Sequence, residues 1–221
     1  MCFSASASFS ASAVILLTGL IAEAESKTRA QHILALIPIF FAVQQFIEGC
    51  LWLNLLHDGN VFWRTILTYG FLFFAWLIWP VFIPVSMGLF ETRKKWKQMQ
   101  YVFFITGIVV SAGLIYVMVF HGVQAIVNDY HIDYTFDFHP GYAWVFGGLY
   151  LVPTVLSLML SNIRRMWIFG LLNLISYMYT KIFFLGYVLS IWCFFGALSS
   201  TIILWIIIRE RRKADLARYS G

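Results

Sequence analysis

Residues 44, 45 and 48 are Gln, Gln and Glu, set in an apolar run, 32–56, that contains no Lys or Arg. A carboxyl in the middle of such a run costs about 2.5–3.5 kcal/mol to place in hydrocarbon, so Glu48 has to face protein. Spacings of three and four put Gln44, Gln45 and Glu48 on one helical face. Other reactive groups lie at a matching level. Glu48 is eight residues from Leu56, about 12 Å along a helix, and Cys193 is seven from Gly186, about 10 Å. Cys2 sits near the chain start and His131 in a long polar loop. Thiolate, imidazole and carboxylate together suit copper or zinc. The expected metal set is therefore Cys2, Glu48, His131 and Cys193, with Gln44, Gln45 and Tyr134 completing a polar pocket. The alternative is metal-free: a neutral Glu48 hydrogen-bonded to Gln44 and a tyrosine, with the cysteines acting as small buried apolar residues.

The elements that position these groups are membrane helices. The 221-residue chain is 61% apolar and 11% charged, where soluble domains carry about 25% charged residues. Long apolar segments without alternation exclude a spanning barrel. Segments are predicted at 4–24, 31–56, 61–90, 101–120 and 142–160. The apolar stretch 166–208 is too long for one crossing of a ~30 Å core, so it is read as two spans turning near Thr180 and Lys181. Pro80 and Pro84 are predicted to kink the third segment, and Pro153 falls inside the fifth. In the first segment Ser4, Ser8 and Ser12 make one small-residue ridge and Ala7 and Ala11 another, suited to close helix contact. Stripes of Ser190, Cys193, Ala197 and Ser200, and of Asn173, Ser176, Tyr177 and Thr180, are predicted to line the interior with Glu48.

Charge orients the array. Thirteen of the fifteen Lys and Arg fall on one side of a seven-span arrangement, with Arg64 and Lys181 on the other. The positive-inside rule then gives an all-α polytopic protein with seven transmembrane helices, amino terminus outside and carboxyl terminus cytoplasmic. Residues 1–208 form one transmembrane domain and 209–221 a basic cytoplasmic tail. The formal charge of +5 is an orientation signal, and nucleic-acid binding is excluded. The alternating stretch 131–139 predicts an extended segment or small hairpin, with its aromatic face on the helix ends.

The opening Met1-Cys2-Phe3-Ser4-Ala5, the Gln44-Gln45-x-x-Glu48-Gly49-x-x-Trp52 core, Trp79-Pro80 with Pro84, His131-Ile132-x-Tyr134 and Trp192-Cys193-Phe194-Phe195 occur together. As a set they resemble an uncharacterised family of bacterial membrane proteins that begin Met-Cys-Phe-Ser-Ala. The resemblance covers nearly the whole chain and implies a multi-pass location in the bacterial inner membrane. It also implies that Cys2, Gln44, Gln45, Glu48, His131 and Cys193 belong to the family pattern, and it brings no reaction with it. Three functions are open at this stage. One is an outward-facing copper or zinc site, redox-active or hydrolytic. The second is a proton-coupled small-solute transporter using Glu48, and the third a structural or accessory subunit of a membrane complex. Expected partners are the lipid bilayer and either a second copy of the chain or such a complex.

Overall fold

The computed structural model describes residues 4–128, 130–136 and 140–219, with side chains throughout except at 140–144 and 213–219. Most of this chain is helical, in seven rods. These are α1 (Ala5–Glu25), α2 (Arg29–Leu56), α3 (Val61–Gly88), α4 (Lys94–Phe120), α5 (140–159), α6 (Met166–Phe183) and α7 (Leu185–Arg212). The helix of α7 continues as far as Tyr219. Five of the rods, α1 to α4 and α7, are long and apolar enough to cross a membrane. The part of α5 at Val145–Met159 is a shorter apolar helix. Long apolar rods of this kind suit a bilayer, because a helix bonds most of its backbone polar groups internally.

Local chemistry starts and stops the rods. Ser4 Oγ accepts from the Ala7 amide at 3.2 Å and opens α1. At α2, Thr28 Oγ1 accepts from Gln31 N and Gln31 Oε1 accepts from Thr28 N, both at 3.3 Å. This reciprocal box satisfies two amides that the first turn leaves without partners. Ser8 and Ser12 of one predicted small-residue ridge and Ala11 of the other are buried, while Ser4 and Ala7 are half-buried, and Ser12 Oγ donates to Ala42 O of α2 at 2.8 Å.

Two of the prolines, Pro80 and Pro153, go with π-helical turns. In α3 the stretch Phe73–Ile78 is π-helical, and the Trp79 amide reaches back to Phe74 O. Pro80 has no N–H, so Ala75 O is left without a helical donor. The Tyr150 hydroxyl of α5 donates to it. Pro84 in turn leaves Pro80 O without its usual donor. Gly107 of α4 packs against that carbonyl so closely that a Cβ there would overlap it. A second π-helical turn, Val152–Leu156, contains Pro153.

Between α4 and α5 the chain forms a hairpin of β1 (Gln124–Asn128) and β2 (His131–Thr135), antiparallel with Ala125 opposite Tyr134 and Val127 opposite Ile132. Period two puts Ile132 and Tyr134 on the inner face, where both are buried. The predicted alternation is therefore seen over 131–135, while residues 137–139 lie outside the described residues. The sixth and seventh segments part at Phe184, a few residues beyond the expected turn near Thr180 and Lys181.

Two apolar clusters fill the bundle. One, toward the hairpin, includes Leu51, Trp52, Phe71, Ile132 and Cys193. The other, toward the basic loops, includes Ile15, Leu34, Trp79, Phe169 and Ile207. At that basic end the Glu91 carboxylate accepts from Asn162 N at 2.8 Å and Asn162 Nδ2 at 2.5 Å. Gln100 and Ser157 bond reciprocally, at 3.1 and 2.7 Å.

A buried carboxyl beside an aromatic cavity

The polar residues of α2 and α7 meet between the two apolar clusters. Gln44 and Gln45 are fully buried and Glu48 is 1% exposed. Ser190 Oγ donates to Glu48 Oε1 at 2.5 Å, and Gln45 Nε2 donates to Glu48 Oε2 at 3.2 Å. Each carboxyl oxygen therefore has a protein donor. Gln44 turns the other way: its Oε1 accepts from Trp79 Nε1 at 2.8 Å, and Trp79 is held by stacking on Phe41 at 3.8 Å. The metal-free alternative placed Gln44 and a tyrosine on Glu48; the residues found there are Gln45 and Ser190.

Fixing Gln44 Oε1 on Trp79 decides where its amide nitrogen points. Gln44 Nε2 stands beside the Cys193 thiol without reaching hydrogen-bond geometry. Cys193 is 8% exposed and within electrostatic reach of Glu48. Tyr134 descends onto this group from the hairpin. Its ring stacks on Phe71 at 4.9 Å and 7°, and its hydroxyl feels both Glu48 and Cys193. Burial, with those two groups adding to it, holds the Tyr134 hydroxyl well above the ordinary tyrosine range. It is a neutral donor at any physiological pH.

Three deeply buried polar atoms here have no hydrogen-bond partner among the described residues: Gln44 Nε2, Gln45 Oε1 and the Tyr134 hydroxyl. Native structures leave few such atoms, because each costs about 1–3 kcal/mol. Next to Tyr134 and Cys193 lies a cavity of about 230 Å³, and Gln44, Gln45 and Glu48 are not among its lining residues. Tyr134 and Cys193 form part of its wall, with Trp76, Tyr150, Tyr177 and Trp192 around it and Lys181 among its lining residues. Trp192 is fixed by donating from Nε1 to Asn173 O at 3.0 Å and by edge contacts with Tyr150 and Tyr177.

Of the residues that the sequence singled out, Gln44, Gln45, Glu48, Tyr134 and Cys193 come together here. The His131 ring lies against Phe184 and Tyr187, with centroids at 5.2 and 4.7 Å. Cys2 lies outside the described residues. Among the described residues no three of His, Cys, Asp and Glu stand close enough to hold a metal ion. Sequence reasoning placed Ser190 on the inner stripe but not on Glu48, and it did not identify Trp79, Tyr150 and Trp192 as supports. Their available signal was an aromatic with a donor atom on a helix already marked by proline or by a polar stripe.

Residues 1–219 match a family of unknown function, DUF6629, and the chain belongs to that family. Comparison with curated proteins and with solved structures gives no match.

Proposed function

For this DUF6629 protein we propose a multi-pass receptor or carrier in the bacterial inner membrane, binding a small organic ligand in the cavity walled by Tyr134 and Cys193. Its seven rods cross the bilayer with the amino terminus and hairpin outside and the basic loops and carboxyl terminus in the cytoplasm. Charge placement supports that orientation. Cysteine labelling of residues 93–97 from the outside would overturn it.

The observation that carries the binding reading is the buried hydroxyl of Tyr134, without a partner among the described residues, on a residue that lines an aromatic-walled cavity. Ligand sites are mostly apolar hollows with a few placed polar groups. A volume of about 230 Å³ exceeds the ~150 Å³ engineered cavity that takes up benzene. It suits a one- or two-ring molecule with a hydrogen-bonding oxygen: the rings stack on Trp76 and Trp192, and the oxygen meets Tyr134. The test is binding of phenols, naphthols and naphthoquinones to purified protein by calorimetry. At least one class should bind with 1:1 stoichiometry, and filling the cavity with Leu114→Trp should abolish it. Failure of every ring compound, with the protein folded, would sink this reading.

A second reading is a copper or zinc ion held by Cys2, Glu48, His131 and Cys193. The approach of Glu48 and Cys193 favours it, since a soft and a hard ligand then face one place. The donors on both Glu48 oxygens favour the organic ligand instead. Elemental analysis of protein purified without chelator separates the two, because the metal reading requires one ion per chain and its loss in Cys193→Ser.

A further inference from the structure

Away from that site, an open apolar groove of about 740 Å³ runs between α6 and α7. Leu172, Ile175, Phe195, Leu198, Thr201 and Trp205 are among the residues that line it. Measured from Phe195 to Trp205 it extends about 15 Å along the helix. That is half of a ~30 Å hydrocarbon core, and so the depth of one leaflet. Its serine and threonine hydroxyls are already engaged, with Ser176 Oγ donating to Asn173 O at 2.9 Å, Ser199 Oγ to Gly196 O at 3.0 Å and Thr201 Oγ1 to Leu198 O at 2.8 Å. Apart from the Tyr179 hydroxyl, the lining therefore presents mainly carbon to whatever fills it.

The groove ends at the basic side on a concentration of charge. The guanidinium carbon of Arg165 lies 4.8 Å from the Trp205 ring centroid and that of Arg209 lies 4.9 Å from it. Two like charges sharing one indole are within roughly 10 Å of each other and repel. Arg164 adds to the field at Arg165, and Glu210 offsets part of it. Arg165 also adopts the left-handed region, with φ of 74°, which a residue with a Cβ occupies at a cost. Excess cation at the headgroup level and a one-leaflet apolar channel call for an occupant with an anion at one end and a chain at the other.

We propose that this groove is a binding site for one anionic phospholipid, its acyl chain lying between α6 and α7 and its phosphate between Arg165 and Arg209. Indole and guanidinium at the interface are the groups that recognise such a headgroup. The site is independent of the cavity walled by Tyr134 and Cys193 and stands or falls without it.

Native mass spectrometry of the full chain in detergent tests the site, with phosphatidylglycerol and phosphatidylcholine of the same chains added in turn. One phosphatidylglycerol per chain is expected to bind at least tenfold more tightly than phosphatidylcholine. Arg165→Gln with Arg209→Gln should remove that preference. Lys94→Gln with Lys95→Gln, an equal loss of charge elsewhere, should leave it intact. Thr201→Phe should weaken retention with both arginines present by obstructing the groove. Equal retention of the two lipids would overturn the proposal. So would an equal effect of the two double variants, or undiminished binding in Thr201→Phe.

Discussion

Ser190 Oγ donates to Glu48 Oε1 at 2.5 Å across 142 residues of chain, joining α7 to α2 in the middle of the bundle. Glu48 is buried where water cannot replace a lost donor. Ser190→Ala is therefore expected to destabilise the protein by about 1–2 kcal/mol, read as a lower Tm in detergent. Ser86→Ala is the matched control, because Ser86 Oγ only donates to Phe82 O of its own helix. Equal Tm losses in the two variants would mean that the α2–α7 bond contributes nothing of its own.

The hairpin supplies a pH dependence. Asp133, partly buried in β2, has its carboxyl raised above the usual 3.8 by burial. A raised native value means that the folded hairpin binds the proton more tightly than the unfolded chain does. Its stabilising effect is complete below the unfolded value and is lost as pH rises through the native one. Backbone exchange at Ile132 and Tyr134 is expected to be slower at pH 4 than at pH 7, after correction for intrinsic rates. Asp133→Asn should hold the slower exchange at both. A hairpin more protected at pH 7 would reverse the sign.

Tyr150 is expected to matter chiefly because of Pro80. Its hydroxyl satisfies Ala75 O, which the π-helical turn and the missing Pro80 N–H leave without a donor. Tyr150→Phe should cost about 1–3 kcal/mol. In a Pro80→Ala background an amide is again present for the freed carbonyls, and the same substitution should cost less. A double-mutant cycle measures the difference, and strict additivity would show that the two features are unconnected.

How far the sequence reveals this fold follows from what each signal encodes. Apolar length and charge placement mark every rod, because the cost of a buried charge is local. Helical rise also gives depth, which is why the sequence alone sets Glu48 and Cys193 at one level. Azimuth is a different matter. Which side of α7 faces Glu48 depends on packing against α1, α2 and α6 together, so Ser190 could be placed on an inner stripe but not paired. The turn near Thr180 and Lys181 was expected from the charge, yet Thr180 Oγ1 donates to Ser176 O at 2.7 Å and the helix runs on to Phe183. Lysine ends no helix, since its stem lies along apolar surface while its amine reaches water. Likewise nothing between Arg209 and Tyr219 interrupts a helix, and that stretch continues α7. The prolines predicted a disturbance, but the π-helical form and its repair by Tyr150 required a second element to be in place.

Tyr134 separates a structural role for the pocket from a binding one. Its ring is stacked on Phe71 and buried, while its hydroxyl has no hydrogen-bond partner among the described residues. A hydroxyl held away from water without a partner costs about 1–3 kcal/mol. Tyr134→Phe keeps the ring and removes that cost, so the ligand-free variant is expected to be as stable as the parent or more stable by about 1 kcal/mol. If the hydroxyl is there to meet a ligand oxygen, the same variant should bind that ligand about fivefold to tenfold more weakly, the equivalent of one hydrogen bond. Thermal unfolding with and without the best-binding ring compound reads both quantities. A gain in stability together with weaker binding is the expected pair. A variant that loses stability and keeps its affinity would assign the hydroxyl to the fold and remove Tyr134 from the site.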